Sequence, residues 1–261
     1  MRPFAELARG TTTTVLKAHD PERDRVVVVK LLRREWAQDE EISARFAAET
    51  AALYSVSNDN VVSILDHGEC EEGLFIVTDY VEGAALDGLL GDRTIPTIIG
   101  AFIVREALSG LAAVSQAGIV HRDFKSSNIV VSDQGLVQLV DFGFAESTAD
   151  THGAVAGTLG YIAPELLAGE AATEQSDIYS AGITLFEATT GVSVSGRATL
   201  RNGRQSYAHL NSGALTHIDE NLSALIGEMT DPSPANRPAT VDQAIGMLDE
   251  VLADYRPAVS R

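Results

Sequence analysis

Hydrophobic positions along this 261-residue chain change their period once. In the first third they come in short runs. Residues 26–29 are four consecutive valines ending in Lys30, and 61–65 and 74–78 are apolar runs with turn residues between them at Gly68, Glu72 and Gly73. Short β-branched runs bounded by glycine predict strands. One helical stretch interrupts them over 41–56, with Ile42, Phe46, Leu53 and Val56 on one face. From Gly83 onward the spacing becomes helical. Residues 98–116 form a long apolar stretch. Residues 177–190 carry Ile178, Ala181, Gly182, Leu185 and Phe186 and stop at Gly191, a residue suited to the left-handed position after a helix. Residues 222–229 and 241–252 are amphipathic, the second preceded by a capping-box pair, Thr240 and Gln243. Short strands over 129–131 and 137–139 flank a turn at 133–135. A strand-rich region followed by a helical one is an α+β order.

Composition narrows the class. Hydrophobic residues make up 45% and charged residues 21%, a balance that excludes wholesale disorder. The length suits one large domain or two intimate lobes with a substantial core. The formal charge is −18, so nucleic acid and anionic membrane surfaces repel the protein and are not expected as partners. Of 19 basic residues only Lys17, Lys30 and Lys125 are lysines. An acidic, lysine-poor surface suits a high-salt cytoplasm, and it also follows from GC-rich coding that favours arginine; a salt titration of folding separates the two. Cys70 is the only cysteine and lies in an acidic turn, which excludes an internal disulfide framework and a Cys-rich zinc site. A cytoplasmic setting is expected rather than an oxidising one. Residues 1–7 are too short and polar for a signal peptide, and 98–114, which contains Arg105 and Glu106, is read as a buried helix, so no membrane segment is expected.

The candidate chemistry sits in three stretches. The first, residues 121–128, reads His-Arg-Asp-Phe-Lys-Ser-Ser-Asn. If this loop doubles back, Asp123 can orient a hydroxyl and accept its proton, Lys125 can neutralise a phosphoryl oxygen, and the Asn128 carbonyl can bind a hard cation. The second is Asp141-Phe142-Gly143 directly after a strand, where the Asp141 carboxylate joins Asn128 as an oxygen ligand for Mg²⁺. The third is Lys30 at the end of the valine strand, with Glu49 in the next helix as the carboxylate to pair with it.

In this order and spacing the stretches resemble the eukaryotic-type protein kinase family, most of all its bacterial Ser/Thr branch. Val-Val-Val-Lys at 27–30 stands at the strand lysine motif, Glu49 at the helix glutamate, and 121–128 at the catalytic loop. Ala163-Pro164-Glu165 stands at the motif closing the activation segment, the stretch from Ser176 at the start of the central helix, and Arg237 at the arginine that pairs with Glu165. The resemblance implies a bilobal α+β fold. It implies a single domain over 1–255, with a small lobe to residue 81, a large lobe from 82 and a short tail at 256–261. It also implies an ATP- and Mg²⁺-dependent Ser/Thr protein kinase, with Mn²⁺ as an acceptable substitute, acting on protein hydroxyls and phosphorylating its own activation segment.

By position, Lys30, fixed by Glu49, would hold the α- and β-phosphates. Asp123 would be the base, Lys125 would steady the γ-phosphate, and Asn128 and Asp141 would bind the metal. Ala8 and Gly10 would cover the phosphates. Val15, Val28 and Val130 would line the adenine, Asp79 and Val81 would offer hinge backbone, and Thr78 would guard the back of the pocket. His121 would be a structural hub against Phe142. Thr158 would meet the residue beside the acceptor, and Ser147, Thr148 and Thr151 are candidate phosphorylation sites facing Arg122. Two departures stand out. The phosphate-covering loop has only Gly10 where the family has three glycines, with Ala8 and Thr13 in place of the others, and β-branched threonine is stiffer than glycine. The stretch 191–212 lacks the Pro-Phe usual in bacterial relatives. The alternative function is a kinase-fold binding module with weak or no transfer.

Overall fold

A computed structural model of the chain describes residues 1–10, 12–92, 95–142, 159–194, 199–201, 204–206, 213–253 and 255. The N-terminal part is a five-stranded antiparallel sheet made of β1 (Arg2–Arg9), β2 (Thr13–Asp20), β3 (Arg25–Leu32), β4 (Ile64–Cys70) and β5 (Gly73–Asp79), in the order β1-β2-β3-β5-β4. The valine run lies at the centre of this sheet, pairing with β2 on one side and β5 on the other. Helices α1 (Arg34–Ala37) and α2 (Glu40–Tyr54) follow β3. Asp39 caps α2 by accepting from the backbone N–H groups of Glu41 and Ile42, both at 3.0 Å. Ile42, Phe46 and Leu53 turn inward as their spacing predicts. Trp36 packs on the core from α1.

One strand goes unmarked in the sequence and one expectation shifts. Strand β1 is exposed along its whole length, so no alternation marks it in the sequence. The run 61–65 is not a strand as a unit. Val61 and Val62 are buried in a connection that bridges to Leu139, and β4 begins only at Ile64 and continues into polar residues.

The C-terminal part is helical around a small sheet of β6 (Gly83–Ala85), β7 (Ile129–Ser132) and β8 (Val137–Leu139). Its helices are α3 (Leu86–Asp92), α4 (Thr97–Gln116), α5 (Pro164–Leu167), α6 (Glu174–Thr190), α7 (Glu220–Met229) and α8 (Val241–Ala253), with a hairpin of β9 (Thr199–Arg201) and β10 (Arg204–Ser206). Helix α4 is apolar because it is enclosed, packing on α6 and α8. A Cβ on Gly100 would come within 2.0 Å of the Ala188 carbonyl oxygen, so only glycine permits this approach of α4 to α6. Helix α6 is buried almost all round, opens with a Thr173–Ser176 capping box, and ends at Gly191 with φ 68°. At α8, Thr240 accepts from the Gln243 N–H at 3.1 Å, while the Gln243 side chain reaches back to the Ala239 N–H at 2.7 Å. Cys70 is exposed, as its acidic turn suggests.

Candidate active site

A cleft of about 580 Å³ opens between the five-stranded sheet and the loops at the ends of β7 and β8. Ala8, Val15, Val28, Lys30, Thr78, Asp79, Val81, Val130, Lys125, Asn128 and Asp141 all line it, so residues spread over more than 130 positions of chain converge on one volume. Gly10 lies in the β1–β2 turn away from the cleft lining, with its N–H donating to the Thr13 carbonyl at 2.9 Å. Thr12 and Thr13 are buried. The Arg33 guanidinium donates to the Gly10 carbonyl at 3.2 Å and pairs with Glu35. The β1–β2 turn, poor in glycine, is thus tied to the end of β3 by a side chain that its own sequence does not announce.

On the opposite wall the chain after α4 is pinned by α6. The Asp177 carboxylate accepts the N–H of His121 at 2.7 Å and of Arg122 at 2.8 Å. These bonds hold Arg122 at φ 66°, a left-handed conformation that a non-glycine residue keeps only when its surroundings impose it. Burial pushes the Asp177 carboxyl up to about 7 against the pull of those two amides. His121 is buried between Phe124 and Phe142, with ring centroids 5.8 and 4.8 Å away, and burial pushes its pKa down to about 3, so the imidazole is neutral at working pH.

From this anchor the loop doubles back. Lys125 Nζ lies 2.7 Å from Asp123 Oδ1, and Asn128 Nδ2 donates to Asp123 Oδ2 at 2.9 Å and to its carbonyl at 2.8 Å. Burial raises the Asp123 pKa, and the Lys125 ammonium opposes that rise. Lys30 Nζ lies 2.5 Å from Asp141 Oδ1 and donates to the Phe142 carbonyl at 2.6 Å.

One expected pairing is corrected. Glu49 was expected to fix Lys30, but its carboxylate takes Arg122 Nη1 at 2.5 Å. The Glu49 carboxylate is taken by the arginine, while Lys30 turns to Asp141 and the Phe142 carbonyl. One turn before Glu49 on α2, two guanidinium nitrogens of Arg45 are buried and make no hydrogen bond.

Gly143, Ser147, Thr148, Thr151 and Thr158 lie outside the described residues. The sequence reading missed several polar positions. Arg25 holds the Asp79 carboxylate at 2.6 Å, and the Lys17 ammonium lies 3.6 Å from the centre of the Tyr80 ring. They join the end of β5 to β3 and β2, and neither carries a spacing signal. Glu187, a carboxylate within an apolar helix run, did carry one, because a buried charge there demands partners.

The oxygen set suits a hard cation. Asn128 spends its amide N–H on Asp123, which leaves its carbonyl oxygen as an acceptor beside the Asp141 carboxylate on the same cleft wall. Two such ligands, completed by phosphate oxygens and water, fit magnesium.

Comparison with known proteins agrees with this geometry. Residues 2–247 match the protein kinase domain model. A probable serine/threonine-protein kinase of Clostridium perfringens is 32% identical over 97% of this chain and 38% of its own length. The serine/threonine-protein kinase PknL of Mycobacterium tuberculosis is 36% identical over 72% of this chain and 48% of its own length. The chain therefore spans less than half the length of these relatives. The crystal structure of the M. tuberculosis PknI kinase domain superposes with a TM-score of 0.75 at 22% identity, covering 97% of this chain and 95% of that one, which speaks to the fold. The chain belongs to the protein kinase family, and the curated relatives it resembles are bacterial serine/threonine-protein kinases.

Proposed function

We propose that this domain transfers the γ-phosphoryl group of ATP to serine or threonine hydroxyls of proteins. The observation that carries the reading is the Asp123 carboxylate, held from both sides by Lys125 and Asn128, which line the same cleft as Lys30. In the transfer, the acceptor oxygen forms a bond to the γ-phosphorus as the bond to the ADP bridging oxygen breaks, and the hydroxyl proton passes to Asp123. Lys125 balances the charge on Asp123 and would meet a γ-phosphate oxygen. Lys30, now on Asp141, has the reach and charge to take phosphate oxygens from the roof. Asn128 and Asp141 would hold Mg²⁺, which supplies charge neutralisation to the phosphates when bound. The hinge after Thr78 presents backbone groups to the adenine.

The Glu49–Arg122 pair supports a resting state. A phosphoryl group on the activation segment, at Ser147, Thr148 or Thr151, would compete for Arg122 and release Glu49 toward Lys30. The same pair, together with the glycine-poor loop, favours a second reading in which the domain binds nucleotide or a partner and transfers weakly.

Transfer of labelled γ-phosphate to a generic protein substrate, with Mg²⁺, separates the two readings. Transfer that disappears in Lys30→Met and Asp123→Asn supports the kinase reading. No transfer by the unaltered domain alongside calorimetric uptake of ATP supports the binding module. Transfer that survives both substitutions overturns the site. Mass spectrometry of protein incubated with ATP and Mg²⁺ reports whether the activation segment is modified.

A further inference from the structure

The transfer scheme leaves one of the three lysines without a role. Lys30 and Lys125 line the cleft, whereas Lys17, on β2, lies outside its lining. The Lys17 ammonium sits 3.6 Å from the centre of the Tyr80 ring and 6.0 Å from the centre of the Phe4 ring. An aromatic face attracts a cation within about 6 Å. Tyr80 directly follows β5 in the hinge and lines the cleft.

The backbone accounts for this placing. Strand β1 pairs with β2 through two bulges, at which Phe4 and Leu7 are the extra residues on the β1 side. A bulge re-aims the side chain it carries. Leu7 lines the cleft, and Phe4, 60% exposed, meets Lys17. Strand β1 is an edge strand, exposed over its whole length, and its register to β2 breaks at both bulges. Leu7 and Ala8, its contributions to the cleft, therefore sit on a weakly supported strand. Through Lys17 that strand meets Tyr80, so one ammonium links two parts of the cleft lining from outside it. A neighbouring tie, Arg25 to Asp79, is 43% and 34% exposed, and an ion pair so open to water holds little.

We infer that Phe4, Lys17 and Tyr80 form a clasp that sets the hinge for the adenine, which makes Lys17 a positioning residue for nucleotide binding. The clasp rests on the kinase reading above. In that reading the hinge meets adenine through backbone groups, and a hydrogen bond weakens steeply as its angle opens. A held Tyr80 ring fixes the peptide groups on either side of it. Lys17 acts through Tyr80, from outside the cleft lining.

The test is calorimetric titration with ADP and Mg²⁺, and separately with adenosine. It compares the unaltered chain with Lys17→Met, Lys17→Arg, Tyr80→Leu, the Lys17→Met/Tyr80→Leu double variant and Arg25→Met. In Lys17→Met the affinity for both ligands should fall about three- to ten-fold. Lys17→Arg should keep the affinity, because a guanidinium also stacks on an aromatic face. Adding Lys17→Met to Tyr80→Leu should cost nothing further. Arg25→Met removes the same charge beside the hinge and should change affinity by under about two-fold. In the transfer assay Lys17→Met should raise KM for ATP by the same factor with kcat unchanged. Adenosine separates the clasp from charge attraction. A loss for ADP with none for adenosine means that Lys17 only draws in phosphate, and overturns the clasp. A lower melting temperature with unchanged affinity, an equal loss in Arg25→Met, or a further loss in the double variant would each overturn it as well. If the unaltered chain takes up ADP and Lys17→Met does so equally, the clasp alone fails; if the unaltered chain takes up no nucleotide, the clasp and the kinase reading fail together.

Discussion

Removing the buried ion pair between Arg237 and Glu165 should cost more stability than removing any surface pair. Arg237 Nη1 and Nη2 meet Glu165 Oε1 and Oε2 at 2.6 and 2.8 Å in a two-pronged contact, and the side chains are 0% and 6% exposed. The guanidinium also donates to the carbonyls of Asp231 and Gln175, each at 2.8 Å, and stacks 4.8 Å from the Tyr179 ring. In Arg237→Met, Glu165 becomes a buried charge without its partner, which costs about 3–5 kcal/mol. Against a total stability of about 5–15 kcal/mol that is a large share. At about 2–4 °C per kcal/mol for a domain approaching this size, the melting temperature should fall by about 6–20 °C. Arg105 with Asp249 is the internal comparison. It is also two-pronged, at 2.9 and 3.0 Å, but its side chains are 28% and 47% exposed, so Arg105→Met should cost about 1 kcal/mol or less. The assay is thermal unfolding followed by circular dichroism, backed by urea titration. Replacing both Arg237 and Glu165 with methionine should recover part of the loss, since no lone charge remains. Equal shifts for Arg237→Met and Arg105→Met would refute the reasoning that burial, and not geometry, sets the cost.

Three further outcomes are expected. His121 has a folded pKa depressed to about 3 against an ordinary value of 6.5, so its neutral burial supports the fold above 6.5 and that support is lost as pH falls toward 3. Urea titrations at stepped pH should show His121→Phe gaining about 5 kcal/mol relative to unaltered protein across that window, and parallel curves would contradict it. Arg33→Ala frees the turn at Gly10, so steady-state kinetics should give a rise of about three- to ten-fold in KM for ATP with kcat held; a fall in kcat at constant KM would place Arg33 elsewhere in the cycle. Asp177 has its carboxyl raised to about 7, so its contribution to stability is full below its ordinary value near 3.8 and is lost as pH rises through 7; Asp177→Asn should flatten the slope between pH 3.8 and 7 in the same titrations, and an unchanged slope would reject the assignment.

What could be read in the sequence was what charge and strong periodicity write locally. Lys30, Asp123, Lys125, Asn128 and Asp141 stand out because charged and amide groups at fixed spacing around strand ends have few structural reasons to be there. The helices over 97–116, 174–190 and 241–253 stand out because their apolar residues repeat at helical period or fill every face. Strand β1 did not, because none of its residues is buried and nothing in the chain marks an inward face. Val61 and Val62 misled, since a buried connection and a buried strand share the same apolar run. The partner of Glu49 was beyond local reading for a different reason. Lys30 and Arg122 are both cations, and which of them meets Glu49 depends on where the whole of α2 lies against residues 121–128. Ser126 and Tyr161 look like ordinary loop residues until α6 brings Glu187 between them.

Helix α6 buries fourteen of its seventeen residues. No local fraying can expose a segment enclosed in that way, so its amide protons can trade with solvent deuterium only when the whole C-terminal part opens. Slow deuterium uptake over 176–189 is then a direct gauge of global unfolding free energy, readable in the native state without denaturant, while the rim strand β1 labels early and reports nothing but its own edge.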